Sequence, residues 1–205
     1  MRSAAVKRPR PRGRRGLLGI VVAAAAVVVL AVGLVVFKPW LAFIDVRVDE
    51  QIPTVAATTA PGQQSSAAVP SVPLSPAETL PPSGPVQLSS GSLISHEHAT
   101  TGSVQIIEQP DGTRLLTLEN LDTSNGPDVH VWLSAADVVE GVDGWYTAGS
   151  ADFYDLGPIK GNQGNQVYQI PADVDLAAFR SVDLWCVQFG VSFGAAQLSP
   201  IGEAL

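Results

Sequence analysis

The chain has 205 residues, 46% of them hydrophobic and 15% charged, with a formal net charge of −7. That balance excludes a wholly disordered chain, and the length leaves room for one ordinary domain once special segments are set aside. A single cysteine excludes an internal disulfide framework. The net charge conceals two opposed parts: eight of the twelve basic residues lie in 1–38 and no acidic residue precedes Asp45, so that stretch carries +8 and the remainder −15.

In chain order, residues 1–16 are a basic tail. From Leu17 to Phe37 no side chain is charged or strongly polar, and as a helix this run would rise roughly 31 Å, enough to cross a bilayer's hydrocarbon core. Six arginines and a lysine precede it, and Lys38, Pro39 and Trp40 end it. The positive-inside bias then places the N-terminus in the cytoplasm and the rest of the chain outside, as a single-pass cell-membrane protein. A cleaved signal peptide is the competing reading. The apolar run exceeds the usual ~7–15 residue signal core, and Phe37-Lys38-Pro39-Trp40-Leu41 offers no small-x-small cleavage site. The tail carries no aromatic residues, which fits anionic lipid headgroups rather than nucleic acid.

Residues 38–86 read as a Pro/Ser/Thr-rich extracytoplasmic linker. Eight prolines fall between Pro53 and Pro85 with one charged residue, Glu78, and prolines remove backbone donors while favouring extended chain. Leu41 to Val48 alternates weakly, as a short extended piece would. Residues 51–86 would reach on the order of 100 Å when stretched.

From 87 to 205 β-branched and aromatic residues are separated by turn residues. Thr101–Ile107 and Arg114–Leu118 flank Pro110-Asp111-Gly112, a hairpin signal. Asp128–Leu133 alternates, with Val129, Val131 and Leu133 on one face and His130 and Trp132 on the other. Further strands are predicted over Asn165–Ile170, Ser181–Val187 and Val191–Leu198, and one short helix over Ala172–Phe179. The fold class is therefore all-β: an antiparallel β-sandwich or barrel preceded by one transmembrane helix and a Pro-rich linker.

Strand periodicity places Val182, Leu184 and Cys186 on one face, with Asp183 and Trp185 on the other. Beside two aliphatic neighbours Cys186 reads as an inert core residue. An unpaired cysteine outside the membrane also admits a redox thiol, or a metal or haem ligand. His96 and His98, at i and i+2, would share a face of an extended segment and could offer two nitrogens to Zn or Cu, with His130 and Cys186 as further ligands. No nucleophile elbow, His-Glu-x-x-His motif or phosphate-binding loop is present. Gly161-Asn162-Gln163-Gly164-Asn165 reads as a tight loop between strands.

Seven motifs then follow in fixed order: Gly91-Ser92-Leu93; His98 before Thr101-Gly102-Ser103-Val104; Leu116-Thr117-Leu118-Glu119-Asn120; Gly126–Leu133; Asp155–Pro171; Ser181–Phe189; and Val191–Leu198. Over residues 91–198 this order resembles the DM-thirteen domain family. The resemblance implies a β-rich extracytoplasmic domain in which the cysteine at the place of Cys186 serves electron transfer. In animals such domains accompany DOMON domains, which resemble haem-binding β-sandwiches. His98 matches the family's histidine position, whereas His96 and His130 match none.

The leading expectation is a membrane-anchored extracytoplasmic domain with a redox or electron-transfer role centred on Cys186, which would alternate between thiolate and sulfenic acid or mixed disulfide, or would ligate a cofactor with His98. Haem or a transition metal is the cofactor class in view, and none is specified by sequence. The partners expected are the lipid bilayer, through residues 17–37, and a redox or cell-envelope protein. Two alternatives stay open: a non-enzymatic surface-interaction or envelope-assembly module with Cys186 as buried packing, and a metal-binding domain using His96 and His98.

Overall fold

The computed structural model describes residues 13–55 and 84–201. Most of the basic tail and of the expected Pro-rich stalk lies outside those residues. The chain divides into two compact units, Met1–Trp40 and Leu41–Leu205.

The described residues of the first unit form one α-helix, α1 (Gly13–Phe37), followed by the start of a 3-10 turn at Pro39. Its large apolar side chains from Leu17 to Phe37 are exposed, and the stretch Gly16–Phe37 is long and apolar enough to cross a membrane. A helix apolar all round has no polar face to give to water. Its end is written in the sequence. Lys38 turns into the left-handed region with φ 42° and its N–H donates to the Leu34 carbonyl at 3.0 Å, while Pro39 cannot continue the ladder.

The second unit is mostly β. Its strands are β1 (Arg47–Asp49), β2 (Val86–Ser95), β3 (Thr101–Glu108), β4 (Arg114–Asp122), β5 (Val129–Ser134), β6 (Phe153–Pro158), β7 (Gln163–Ile170), β8 (Ser181–Cys186), β9 (Val191–Gln197) and β10 (Ser199–Pro200). They form one mixed sheet curled into a half-barrel, in the order β1-β7-β4-β3-β2-β9-β8-β5-β6, with β10 beside β2. Strand β2 makes the curl. Val86 to Ser92 pairs with β3, and Leu93 to Ser95 pairs with β9. Gly91 sits at the turning point, where a Cβ would meet the Gln197 carbonyl. The predicted hairpin forms between β3 and β4: Gly112 takes φ 82°, its N–H donates to the Gln109 carbonyl at 2.9 Å, and Asp111 Oδ1 accepts from the Thr113 N–H.

Three features differ from the sequence reading. Arg47–Asp49, assigned there to the linker, pairs with β7 in parallel, so the sheet is mixed rather than wholly antiparallel. Parallel pairing needs a long crossover, and β1 and β7 are far apart in sequence. Asn162 fixes this edge, accepting from the Val46 N–H at 2.7 Å and donating to Asp45 and to the Thr123 carbonyl at 2.8 Å each. Ala172–Phe179 makes no α-helix. It holds only a 3-10 turn at Leu176–Ala178, capped by Asp175, because so short a run cannot repay helix nucleation.

The alternation predicted for β5 and β8 holds. Val129, Val131, Leu133, Val182, Leu184 and Cys186 enter the main core inside the curl. On the outer face Trp132 and Trp185 form a second apolar cluster with Ala148. Ala148 belongs to a segment of two 3-10 turns, Val142–Tyr146 and Ala148–Ser150, so a loop covers this face. Strand β8 is consequently buried on both sides at every position.

Candidate functional site

Cys186 ends β8, opposite Val129 of β5. It is fully buried and has no disulfide partner. Beyond it the chain makes a turn in which Gly190 adopts φ 63° and donates its N–H to the Cys186 carbonyl at 2.8 Å. Burial pushes the thiol's pKa up. Amide hydrogen bonds from Phe189, Gln188 and Asp128 oppose that shift, while the Asp128 charge adds to it. Amides directed at a sulfur favour its thiolate. The turn over the sulfur is itself at the surface, with Val187 and Phe189 exposed. Cys186 is thus a protonated, covered thiol one turn away from solvent.

The histidines do not converge. The chain bends at His96–His98 rather than running extended, which removes the shared face expected for the pair. His96 is buried, and its two ring nitrogens are engaged, Nδ1 with Ser192 Oγ at 2.7 Å and Nε2 with the Val139 carbonyl at 3.1 Å. His98 packs edge-on against Phe193, ring centroids 3.9 Å apart, with Nδ1 3.0 Å from Glu97. His130 lies elsewhere, on the outer face of β5, between Asp155 (2.8 Å) and Asp128 (3.1 Å). Burial pulls its pKa down, but the hydrogen bonds and charges of the two aspartates raise it overall. Among the described residues no group of three or more His, Cys, Asp or Glu is gathered as a metal ion would require. Cys186 belongs to the main apolar core, opposite Val129 and Val191, and two cavities of this unit, of about 680 and 370 Å³, are lined by other residues. The described residues around the sulfur supply no ligand set for a haem or a metal ion.

Sequence reasoning missed the most constrained group in the unit, on the outer face of the same strand. Asp183 is 2% exposed. Burial pushes its pKa up to about 7, against a smaller lowering by the hydrogen bond from Ser192. Ser192 Oγ lies 2.8 Å from Asp183 Oδ2 and 2.7 Å from His96 Nδ1, so an acid, a hydroxyl and an imidazole form one buried line. Beside it Trp132 stacks on Phe153, centroids 3.7 Å apart and planes 6° off parallel, and on Trp185 at 5.1 Å. Phe153 is about half exposed and carries the stack to the surface. The signal was present in Val182-Asp183-Leu184-Trp185: an acid midway along a strand whose other face is apolar must be solvated or covered, and an aromatic two residues on indicates covered.

The family described as Electron transfer DM13 matches residues 92–198. No curated protein matches the chain, and no solved structure matches it.

Proposed function

Because the chain belongs to the DM13 electron-transfer family, we propose that it is a membrane-anchored electron-transfer module whose β unit stands outside the cytoplasmic membrane and whose redox centre is Cys186. The observation that carries this reading is the sulfur's setting, with three backbone amides directed at it beneath a surface turn. With one cysteine in the chain, any disulfide is intermolecular. The chemistry is thiol–disulfide exchange with a partner. As the turn opens, the Cys186 thiolate attacks one sulfur of a partner disulfide. The other partner sulfur leaves with the electron pair and takes up the proton Cys186 has lost. A second thiol then cleaves the mixed disulfide, is oxidised in turn, and restores Cys186. Helix α1 supplies the anchor, and the basic tail before it sets the orientation.

The test uses the full chain in detergent micelles with oxidised glutathione. The expected result is a mass increase of one glutathionyl group on the native protein, absent from Cys186→Ser. A native chain that stays unmodified where the denatured chain reacts overturns the redox reading. That outcome favours the second reading, an interaction module with Cys186 as packing, for which the zero exposure of the side chain speaks. Orientation is read separately: protease added outside intact cells should digest the β unit and spare the tail.

A further inference from the structure

Among the described residues two buried side-chain polar atoms have no hydrogen-bond partner, Trp132 Nε1 and Asp183 Oδ1. One is a donor and the other an acceptor. They belong to residues directly opposed in the β5–β8 register, whose Cβ atoms lie on the same face about 4.5–5.5 Å apart. Burying a polar atom without a partner is expensive, so two such atoms on directly opposed residues, one a donor and one an acceptor and not bonded to each other, need a reason.

The hydrogen-bonded line behind Asp183 supplies one, because it has two complete proton arrangements. In the first, neutral Asp183 donates from Oδ2 to Ser192 Oγ, Ser192 donates to His96 Nδ1, and His96 Nε2–H donates to the Val139 carbonyl. In the second, His96 is an imidazolium donating from both nitrogens, to Ser192 and to Val139, and Ser192 donates to the Asp183 carboxylate. Every contact at 2.7, 2.8 and 3.1 Å is satisfied in both, and one proton shift through the hydroxyl interconverts them.

We infer that Asp183, Ser192 and His96 form a buried proton relay that receives the indole proton of Trp132 when the Phe153–Trp132–Trp185 stack gives up an electron. The inference rests on the electron-transfer reading but not on Cys186. Its balance is closed. One electron leaves Trp132 for a one-electron oxidant, in the cell a high-potential centre of a partner protein. The Nε1 proton passes to Asp183 Oδ1 once a side-chain movement closes the two unpartnered atoms to hydrogen-bond distance. The Oδ2 proton passes to Ser192 Oγ, whose own proton passes to His96 Nδ1. The products are a neutral indolyl radical, a neutral carboxyl and an imidazolium. Returning the electron retraces the path. His96, the least buried of the three relay residues at 8%, is the end nearest solvent. Asp183 with a pKa of about 7 holds and releases a proton at neutral pH, as a relay member must.

The experiment is flash-quench oxidation of the full chain in detergent micelles by a photogenerated ruthenium(III) polypyridyl complex, reading the visible absorption that separates indolyl radical cation from neutral radical. Wild type should deprotonate rapidly with a solvent deuterium isotope effect. Asp183→Asn should slow deprotonation on the order of 100-fold, and Trp132→Phe should remove the fast-deprotonating species. Ser192→Ala, which removes the acceptor of the Asp183 Oδ2 proton, should slow deprotonation as Asp183→Asn does and abolish the imidazolium infrared bands of His96. Equal deprotonation rates in wild type and Asp183→Asn overturn the relay. Should a variant fail to fold, the flash-induced carboxyl infrared band of wild type decides, its absence being the overturning result. The same series in Cys186→Ser separates the two readings: an intact relay there, beside lost glutathionylation, leaves each standing or falling alone.

Discussion

Replacing Asp183 by Asn should change how the fold's stability depends on pH, and the size follows from the site. The carboxyl is 2% exposed and its pKa is raised from 3.8 to about 7 by burial. Between those two values the folded state keeps a proton that the unfolded chain has lost, so stability falls as pH rises across that window and levels off above it. A rise of about three units corresponds to ~4 kcal/mol. His96 works in the opposite sense over part of the range. Burial lowers its pKa below 6.5, against a smaller raising by Val139, so its contribution increases as pH climbs towards 6.5 and then stays. Asn has the shape of the neutral acid and its Nδ2 can donate to Ser192 Oγ as the protonated carboxyl does. Urea denaturation followed by tryptophan fluorescence, at steps from pH 4 to 8, should show a wild-type decline that Asp183→Asn lacks, the variant being more stable above pH 7. Parallel curves would refute a protonated Asp183 and with it the burial argument.

Four further outcomes are expected. Histidine titration by NMR should place His130 above 6.5 and His96 below it, and Asp155→Asn should bring His130 back towards 6.5; stability owed to His130 is full below 6.5 and is lost as pH rises through its folded pKa. A thiol reagent should modify Cys186 to completion in the native chain, at a rate set by opening of the covering turn and so slower than in urea, and Cys186→Ser should cost about 1–3 kcal/mol for a buried hydroxyl, measured by urea midpoint. Gly149→Ala would put a Cβ 2.5 Å from the Trp185 ring, so it should cost about 1–3 kcal/mol and alter the Trp132–Trp185 exciton signal in near-ultraviolet circular dichroism. A chain starting at residue 84 should lose on the order of 3 kcal/mol relative to one starting at 41, because Asn162, Gln163 and Val167 lose their partners Val46 and Glu50.

Strands whose pattern alternates were legible residue by residue. In β5 and β8 each apolar residue expected inside is inside, because one-sided burial imposes period two and β-branched residues fit it. Strand β2 was not legible as a strand. Leu88-Ser89-Ser90-Gly91-Ser92 carries no periodicity, since this strand is the bend of the sheet and its small side chains make room for β9 and β10. Strand β1 was hidden by distance: its partner lies more than a hundred residues on, and nothing local in Arg47-Val48-Asp49 names it. Cys186 could be placed on the inner face from periodicity, but its amide surroundings depend on a turn whose geometry sequence does not state. The relay was less legible still. His96 lies in the bend after β2, Asp183 midway along β8 and Ser192 near the start of β9, and no spacing rule joins them.

Strand β8 explains why the two candidate redox groups occupy one short segment without sharing an environment. Consecutive residues on a strand point to opposite faces, and Cα atoms lie about 3.8 Å apart, so Trp185 and Cys186 are covalent neighbours facing different layers. The sulfur is held among aliphatic side chains, and the indole lies under a loop beside the acid. A single strand buried on both faces is the one element that can keep a thiol dry and an acid–indole pair covered at once. An edge strand would leave one of them in water, where Asp183 would ionise at its ordinary pKa and the relay would have no proton to pass. The covering loop is therefore as much a part of the proposed relay as the strand. Its Val139 carbonyl holds the far end of the relay through His96, and its Gly149 closes against Trp185, so displacement of that one loop would wet the acid and the indole together.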